Sequence, residues 1–292
     1  MGVSVKNRVM IEDKAIPRHT TVIRRKPVVW ILSILWLIIS FYPVFYMLQT
    51  SLRSQAGFLT GIPWLPSNHP TITNYVTVLQ NGFGRYFLNS VIVSVFTVGL
   101  IVFTALPAAY TIVRTKRRVI RTIFNVFLVG LAIPIQAAII PIYILISRLE
   151  LYNTLSGLIL PSVAFGLPIT ILILVNFVRD IPQELYESMQ IEGISEIQLL
   201  KHLVFPLSKP ALVSVVIYNF VQVWNNFLFP LILTQSPRAR LLPLAIVSFQ
   251  GQFSMDVPAL MAAVLLSAFP LIVAYIVGRR FLLRGLTAGF NR

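Results

Sequence analysis

The sequence contains no cysteine, only nine acidic residues and only three histidines in 292 positions. The absence of cysteine excludes disulfides, thiolate metal sites and cysteine nucleophiles, and three histidines leave little for metal or triad chemistry. Charged residues make up 11% of the chain, against about 25% in a soluble domain. A chain that is 57% hydrophobic, with a mean hydropathy of +0.82, has too little polar surface for a soluble fold. We therefore expect an all-α integral membrane protein.

Six runs of apolar residues are each long enough to cross a bilayer as a helix of about 20 residues. They cover approximately residues 28–48, 87–112, 123–146, 155–178, 211–233 and 258–277. Proline within these runs does not exclude a helix, because neighbouring helices can satisfy the freed backbone groups. No cleaved leader is expected, because the first 26 residues are polar and basic and the run after them is long enough to span.

Lysine and arginine are distributed unevenly among the segments that flank the predicted spans. The N-terminal tail, the second-to-third connection, the fourth-to-fifth connection and the C-terminal end together hold 19 of the 24. The three other connections hold five. Because cytoplasmic loops carry the excess of positive charge, both termini are predicted to be cytoplasmic. The net charge of +15 is then a consequence of topology, and nucleic acid is not expected as a partner.

The interiors of the six predicted spans contain no Asp, Glu, Lys, Arg or His. Ion-coupled carriers usually need such groups as relays, and an intramembrane enzyme would need paired carboxylates, a metal cluster or a Ser/His pair. The chain also lacks the Gly-x4-Gly-Lys-Ser/Thr loop that cradles nucleotide phosphates. We therefore expect a subunit that is not an enzyme, has no cofactor of its own and, if it transports, is energised by another polypeptide.

Uncharged polar residues do occur in the spans. Asn219, Gln222 and Asn226 share one helical face of the fifth predicted span, with Trp224 beside them. Gln136 in the third span is a further candidate of the same kind. These side chains have two interpretations: interhelical hydrogen bonds that hold the bundle together, or the lining of a passage for an uncharged, hydroxyl-rich solute.

Five of the nine acidic residues lie between positions 180 and 196, in the longest predicted cytoplasmic loop, residues 179–209. Asp180 is placed to cap a helix, with Gln183 as its capping-box partner and Pro182 in the first turn. Glu184 and Glu187 follow near the positive end of the helix dipole.

A glycine and a second capping pattern follow in the same loop. Gly193 stands where a helix C-terminus favours a residue with positive φ. Ser195, with Gln198 three positions later, then begins a second helix. Ile197, Leu200, Leu203 and Val204 are predicted to form its apolar stripe, and Pro206 and Pro210 to end it. The loop is therefore predicted to be helix, glycine corner, helix.

One pattern in this loop resembles the motif Glu-Ala-Ala, three residues, Gly, nine residues, Ile-x-Leu-Pro of the permease subunits of ABC importers. It reads Glu187-Ser188-Met189, three residues, Gly193, nine residues, Leu203-Val204-Phe205-Pro206. The departures include Ser188 and Met189 in place of the two alanines, and Glu192 in place of the usual aspartate. Both Ser188 and Met189 are bulkier than alanine.

Further segments resemble the carbohydrate-importer branch of this family, and the C-terminal one resembles the end of the maltose-type second permease. They are Asn89-Ser90, Ala108-Ala109-Tyr110, Asn153-Thr154, Gly157-Leu158-Ile159-Leu160-Pro161, Trp224-Asn225-Asn226-Phe227-Leu228 and Gly285-Leu286-Thr287-Ala288-Gly289. The matches cover roughly residues 85–290. The resemblance implies the type I ABC importer permease fold and four regions: a cytoplasmic tail 1–26, a first helix with an outer loop 27–84, the transmembrane core 85–282 with the coupling loop 179–209, and a cytoplasmic tail 283–292.

The resemblance also implies a function and a set of partners. The loop would be the coupling helix that an ATPase subunit grips, with its contacts, corner and link made by Glu184, Glu187, Ser188, Met189, Glu192, Gly193 and Pro206. The partners would be a homologous second permease in a heterodimer, two ATPase subunits that hold ATP and Mg, and an extracytoplasmic solute-binding protein. The protein would lie in the bacterial inner membrane, and the solute would be a sugar or oligosaccharide. The alternatives are another solute carried by the same machinery (a polyol, a glycerol phosphodiester or an acidic oligosaccharide) or a passive channel.

Overall fold

A computed structural model describes residues 27–62, 64–247 and 255–288, with side chains up to residue 278. The predicted tail 1–26 therefore lies outside the described residues. Fourteen α-helices occur in the part described, and π-helical turns at Leu79–Phe83 and Leu200–Val204 continue two of them. The helices are α1 Pro27–Ser51, α2 Gln55–Thr60, α3 Thr73–Val78, α4 Gly84–Arg114, α5 Arg118–Gly130, α6 Ile135–Arg148, α7 Leu155–Arg179, α8 Gln183–Ile191, α9 Glu196–Leu199, α10 Phe205–Leu207, α11 Lys209–Trp224, α12 Leu228–Leu233, α13 Leu242–Val247 and α14 Val257–Ala288.

The chain divides into two compact units, residues up to Phe45 and residues from Tyr46 onwards. The described part of the first unit is helical from Pro27, and its apolar side chains are exposed. In the second unit, the side-chain amide of Asn74 donates to the carbonyl oxygens of Ser51 (2.7 Å) and Arg53 (2.6 Å).

Four of the described helices are long and apolar enough to cross a membrane: Pro27–Ser51, Thr73–Arg114, Leu155–Arg179 and Val257–Gly278. They contain the first, second, fourth and sixth predicted spans. The second is longer than predicted because α3 leads into α4 across a kink at Asn81 and Gly82, where the backbone is not helical and Gly82 has φ +85°. The backbone of α14 continues to Ala288, into the predicted tail 283–292.

The third and fifth predicted spans are not single straight helices. Helices α5 and α6 meet at 107°, and extended Pro134 stands immediately before α6, where proline disfavours helix in the residue before it. The predicted span 211–233 ends instead at Trp224, and α12 restarts at Leu228. Helix α11 is also bent by 76° from the helical segment Glu196–Leu207. If each bent pair forms one span, the described chain has six.

Helices α4 and α7 form the centre of the second unit, and α11 packs against both. Ala105 and Ala109 on α4 are fully buried in the cluster that joins these helices to the 183–207 segment. Small residues matter here because hydrophobic burial gives little drive between helices in lipid, so close van der Waals packing must hold them.

Two of the segments that carried the family resemblance anchor loops. The side-chain amide of Asn89 donates to the carbonyl oxygens of Arg238 (2.8 Å) and Arg240 (3.0 Å). Ser90 accepts a hydrogen bond from the Leu242 amide at 2.9 Å. Thr154 caps α7 through the Gly157 amide at 3.1 Å. These residues therefore fix the end of the bundle away from residues 183–207.

Candidate functional site

The acidic loop folds as two helical arms, α8 and the continuous α9–α10 segment, which we call the elbow (residues 183–207). Helix α8 follows extended Pro182, which stands at the N-cap without a side-chain cap. The predicted Asp180 cap is therefore wrong: Asp180 is the C-cap of α7, and extended Pro182 separates it from the first turn of α8. Glu184 does lie in that first turn, at the positive end of the helix dipole.

The corner of the elbow is a glycine-dependent helix end, as the sequence predicted. Gly193 has φ +76°. Its amide donates to the Gln190 carbonyl (3.0 Å), and the Ile194 amide donates to the Met189 carbonyl (3.2 Å). This pair of bonds is a Schellman motif. A Cβ at Gly193 would meet nothing within 4 Å, so the requirement for glycine is conformational rather than steric.

The second arm begins with the predicted capping box. The Ser195 amide donates to Gln198 Oε1 at 2.9 Å, and the Gln198 amide donates to Ser195 Oγ at 3.4 Å. Pro206 does not end this arm, which is a correction. The π-helical turn before it lets the Phe205 amide donate to Leu200, and the helix continues to Leu207. The bend comes at Ser208, and Pro210 lies in the first turn of α11.

The elbow has a buried underside and an exposed outer face. Tyr186, Leu199, Leu203 and Val204 are buried, and Met189 is partly buried against the same cluster. The other predicted contact residues, Glu184, Glu187, Ser188 and Glu192, are exposed.

Five large apolar side chains of the elbow are exposed, and two of them are exposed by more than three quarters. Ile191 is 88% exposed and Ile197 is 78% exposed. Ile197 lines an apolar cavity together with Leu200 of the predicted stripe and Leu106 of α4, whereas Ile191 adds uncovered apolar surface to the elbow.

Two side chains of α4 hold both arms of the elbow. The Tyr110 hydroxyl donates to Glu196 Oε2 in the second arm. Arg114 Nη1 donates to Gln183 Oε1 in the first arm at 3.0 Å, and its guanidinium carbon lies 4.5 Å from the centre of the Tyr186 ring. We call Tyr110, Arg114, Gln183, Tyr186 and Glu196 the clasp. Sequence reasoning missed it, although Tyr110 belonged to the resemblance and Arg114 follows it at i+4 on the same helical face.

The clasp contains a buried phenol. Tyr186 is 2% exposed. Burial raises the pKa of its phenol above the usual value, and the guanidinium of Arg114 opposes that rise. The guanidinium therefore lies over a neutral aromatic ring, the arrangement of a cation–π contact.

A second candidate site is a cavity of about 200 Å³ between α7, α11 and α12. Asn219, Gln222 and Asn226 line it, as their predicted shared face requires. Residues that the sequence had not singled out complete the lining: Ile135, Ser162, Phe165, Gly166, Ile169, Tyr218, Val223 and Phe229. Tyr218 could have been found from its position one turn before Gln222.

The predicted pathway residues differ in their roles. Asn219 is 2% exposed, and its amide donates to Thr170 Oγ1 and to the Val215 carbonyl, both at 2.8 Å. Asn226 accepts a hydrogen bond from the Phe229 amide (3.0 Å) at the start of α12. Gln222 is exposed.

Trp224 and Gln136 do not line the cavity. Trp224 is buried, its indole N–H donates to the Ser267 carbonyl at 3.1 Å, and its ring packs against Phe87 and Phe220. Gln136 is exposed at the start of α6. Trp224 and Asn219 thus make contacts between helices, and Gln222 is the most exposed of the three amides that line the cavity.

Gly166 allows three helices to converge beside this cavity. A Cβ at this position would collide with Ile101 of α4 and would lie 2.7 Å from Asn219 Oδ1 of α11. Only a residue without a side chain permits this approach of α4, α7 and α11.

Residues 100–286 match the family of binding-protein-dependent transport system inner membrane components. The chain belongs to this family. The resemblance inferred from the elbow motif is thereby confirmed. The family membership and the apolar helices together show that the chain is a multi-pass membrane protein. The matched segment includes both arms of the elbow and the residues that line the cavity.

This permease is similar to two relatives over most of its length. It is 42% identical to a putative ABC transporter permease, ORF2, of a Caldicellulosiruptor species, over 87% of this chain and 92% of the relative. It is 33% identical to the trehalose/maltose transport system permease MalG of Thermococcus litoralis, over 88% and 93%. Its fold resembles a chain of a bacterial ABC transporter that imports the acidic polysaccharide alginate, with a TM-score of 0.77 at 20% identity, covering 87% of this chain and 95% of that one.

Proposed function

We propose that this chain is the membrane-spanning permease subunit of an ATP-driven, binding-protein-dependent importer of a sugar or oligosaccharide. The observation that carries the proposal is the elbow: a preorganised two-armed corner, anchored on one side and exposed on the other, within a segment that matches the family. The name of the trehalose/maltose relative supports a carbohydrate as the solute.

The proposed topology has six spans, with both termini in the cytoplasm of a bacterium and the bundle in its inner membrane. The bent pair α5 and α6 would then contribute one crossing, and α11 another, with its bent partner Glu196–Leu207 on the cytoplasmic side as the second arm of the elbow. The excess of Lys and Arg in alternate connections supports this orientation. The elbow then faces the cytoplasm, where ATP is available.

The elbow is proposed to be the coupling helix that an ATPase subunit grips. Its exposed face offers Glu184, Glu187, Ser188 and Glu192 to basic or amide groups, and Ile191 to an apolar cleft. Met189 on the underside and Gly193 at the corner keep the arms in one geometry, because the Schellman bonds join them. Pro206 lies where the second arm leads to α11.

The proposal assigns energy supply and solute capture to other subunits. Two ATPase subunits would hold ATP and Mg, a homologous permease would complete a heterodimer, and an extracytoplasmic binding protein would deliver the solute. This chain would then hold no cofactor and catalyse no reaction. Its own work is to move the elbow with its helices when the ATPase subunits close, and so to alternate access to the passage.

The cavity between α7, α11 and α12 is proposed to be this subunit's part of the passage. The Gln222 amide can both donate to and accept from sugar hydroxyls, and Phe165, Tyr218 and Phe229 offer ring faces to the apolar face of a sugar. At about 200 Å³, the cavity is smaller than ligand sites of about 300–1,000 Å³. A passage for a sugar therefore needs a surface from the second permease.

Two measurements on the native complex test this proposal. Native mass spectrometry of the complex purified through this chain should give one copy of it, one different permease and two ATPase subunits. The partner binding protein, purified without added ligand, should retain a sugar that mass spectrometry identifies. Recovery of this chain with no ATPase subunit would contradict the importer assignment, and a retained ligand that is not a carbohydrate would contradict the solute.

A further inference from the structure

The clasp joins the end of α4 to both arms of the elbow at once. Tyr110 and Arg114 lie one turn apart on α4, on the same face. Tyr110 donates to the carboxylate of Glu196 in the second arm, and Arg114 donates to Gln183 in the first arm at 3.0 Å. Both bonds involve an ionic group, and such bonds are stronger than neutral ones.

Aromatic packing closes the space between the two bonds. The ring centroids of Tyr110 and Tyr186 are 6.4 Å apart, and the Arg114 guanidinium lies over the Tyr186 ring. Tyr186 and Tyr110 are buried at 2% and 7% exposure. The two rings are therefore buried between the hydrogen bonds, whereas Gln183 and Glu196, which accept those bonds, are exposed.

The clasp extends into the elbow through two glutamines. Gln183, which accepts from Arg114, also donates to Glu187 Oε1 at 3.2 Å. Gln190 in the first arm donates to Glu196 Oε1 in the second at 3.3 Å. The two arms are thus tied to each other and to α4 by one set of contacts.

The backbone that joins the elbow to its flanking helices is not continuous straight helix on either side. Helix α7 ends at Arg179 and α8 begins at Gln183, with no helix between them. On the other side, the second arm meets α11 at a 76° bend. A displacement of the elbow could be absorbed at both joints, whereas side-chain contacts to α4 bypass them.

Helix α4 also reaches the cavity. Nine residues before Tyr110, or about 14 Å along the helix, Ile101 is fully buried and faces Gly166 beside Asn219. A movement of α4 would therefore act directly on two cavity-lining residues.

We propose that Tyr110 and Arg114 are positioning residues that fix the elbow to α4, so that elbow and α4 move as one body and pass the elbow's displacement to the cavity. The inference rests on the proposed function and adds the route by which movement of the elbow reaches the cavity within this chain. A positioning role differs from a purely stabilising role in one respect. Breaking the clasp should uncouple ATP hydrolysis from uptake, and the complex should still assemble.

The first test breaks the hydrogen bond between Tyr110 and Glu196 in the reconstituted complex. Tyr110→Phe and Glu196→Leu should each lower the amount of solute taken up per ATP hydrolysed by about ten- to a hundredfold, the range for losing one hydrogen bond to a charged group. The double variant should be no worse than either single one. Glu196→Gln should restore coupling, because its amide oxygen still accepts from the Tyr110 hydroxyl.

The control is Tyr143→Phe, which removes the hydroxyl of a tyrosine that packs edge-on against Tyr152, away from the clasp. Its ratio of uptake to hydrolysis should equal that of the wild type. Additive losses in the double variant, or uptake and hydrolysis that fall in parallel in the single variants, would overturn the proposal.

The second test replaces the hydrogen bond between Arg114 and Gln183 with a covalent link. Because the chain has no cysteine, Arg114→Cys with Gln183→Cys introduces the only two thiols of this subunit, and a short bifunctional thiol reagent can join them. If elbow and α4 move as one body, the cross-linked complex should transport at least as well as the same variant before cross-linking. Arrest of uptake on cross-linking, with reversal on cleavage of the linker, would show that they move apart. Failure of the importer assignment can be distinguished from failure of the clasp proposal, because in the first case the wild-type complex would show no ATP-driven uptake.

Discussion

The amide of Ile194 donates to the carbonyl of Met189 at 3.2 Å, across a glycine at φ +76°. This bond turns the chain between the two arms of the elbow and places Met189 on the buried side. The corner is therefore held by backbone hydrogen bonds together with the packing of Met189 and Ile194 against the buried cluster.

Replacing Gly193 should loosen the corner. Gly193→Ala places a Cβ in the left-handed region at a cost of about 1–2 kcal/mol, so amide hydrogen exchange at residues 193 and 194 should become about tenfold faster. Gly193→Pro cannot adopt φ +76° and loses the amide that donates to Gln190, and transport should be abolished. Gly99→Ala is the matched control, because its Cβ meets nothing within 4 Å in a helix. Normal uptake by Gly193→Pro would contradict the role of the corner.

Reversing the charge of Glu187 should weaken the association with the ATPase. The side chain is exposed and accepts a single hydrogen bond, from Gln183, so Glu187→Arg should leave the membrane subunit folded. We expect the yield of ATPase subunits that co-purify with the variant to fall at least about tenfold. Glu150→Arg, an exposed charge reversal outside the elbow, should have no effect. Full co-purification and uptake by Glu187→Arg would refute the docking role.

Two amides of the cavity should respond differently to the same substitution. Gln222→Leu removes an exposed amide, so uptake should fall while thermal stability stays unchanged. Asn219→Leu removes the donor to Thr170 and Val215 from a buried site, and should lower stability by about 1–3 kcal/mol. The different roles of Gln222 and Asn219 are checked by measuring the thermal melting and the uptake of both variants. The variants are compared at equal complex yield. The reverse pattern would assign Gln222 to packing and Asn219 to the passage.

A methyl group at Gly166 should be tolerated only if Ile101 becomes smaller. Gly166→Ala places a Cβ against the Cδ1 atom of Ile101, and such overpacking should cost about 1–3 kcal/mol. Ile101→Val removes that atom, so the double variant should recover part of the lost stability in a thermal melt. Additive destabilisation would show that the three helices do not converge at this point.

Local patterns predicted local structure well in this chain. Ser195 with Gln198, and Gly193 after a nine-residue helix, form motifs whose partners are at most five positions apart, so sequence spacing determined their geometry. The prediction for Asp180 failed because Pro182 adopts an extended conformation and delays the helix until Gln183. The prediction for Pro206 failed because a π-helical turn accommodates the missing amide.

Contacts between residues far apart in the sequence were harder to predict from the sequence. Tyr110 and Glu196 are 86 positions apart, and nothing in either segment alone indicates that they meet. The breaks after Gly130 and Trp224 were missed because hydropathy measures the length of an apolar run and not its straightness. The shared face of Asn219, Gln222 and Asn226 was predicted from helical spacing, whereas the Ser267 partner of Trp224 lies on a separate helix.

The most direct test of the central claim is uptake by proteoliposomes that contain this chain with its partner permease and ATPase subunits. The solute is the radiolabelled sugar retained by the partner binding protein, and that protein is added outside. We predict that uptake requires ATP inside the vesicles and the binding protein outside, and that a non-hydrolysable analogue supports none. Equal uptake without ATP, following the solute gradient, would contradict the account and indicate a passive channel.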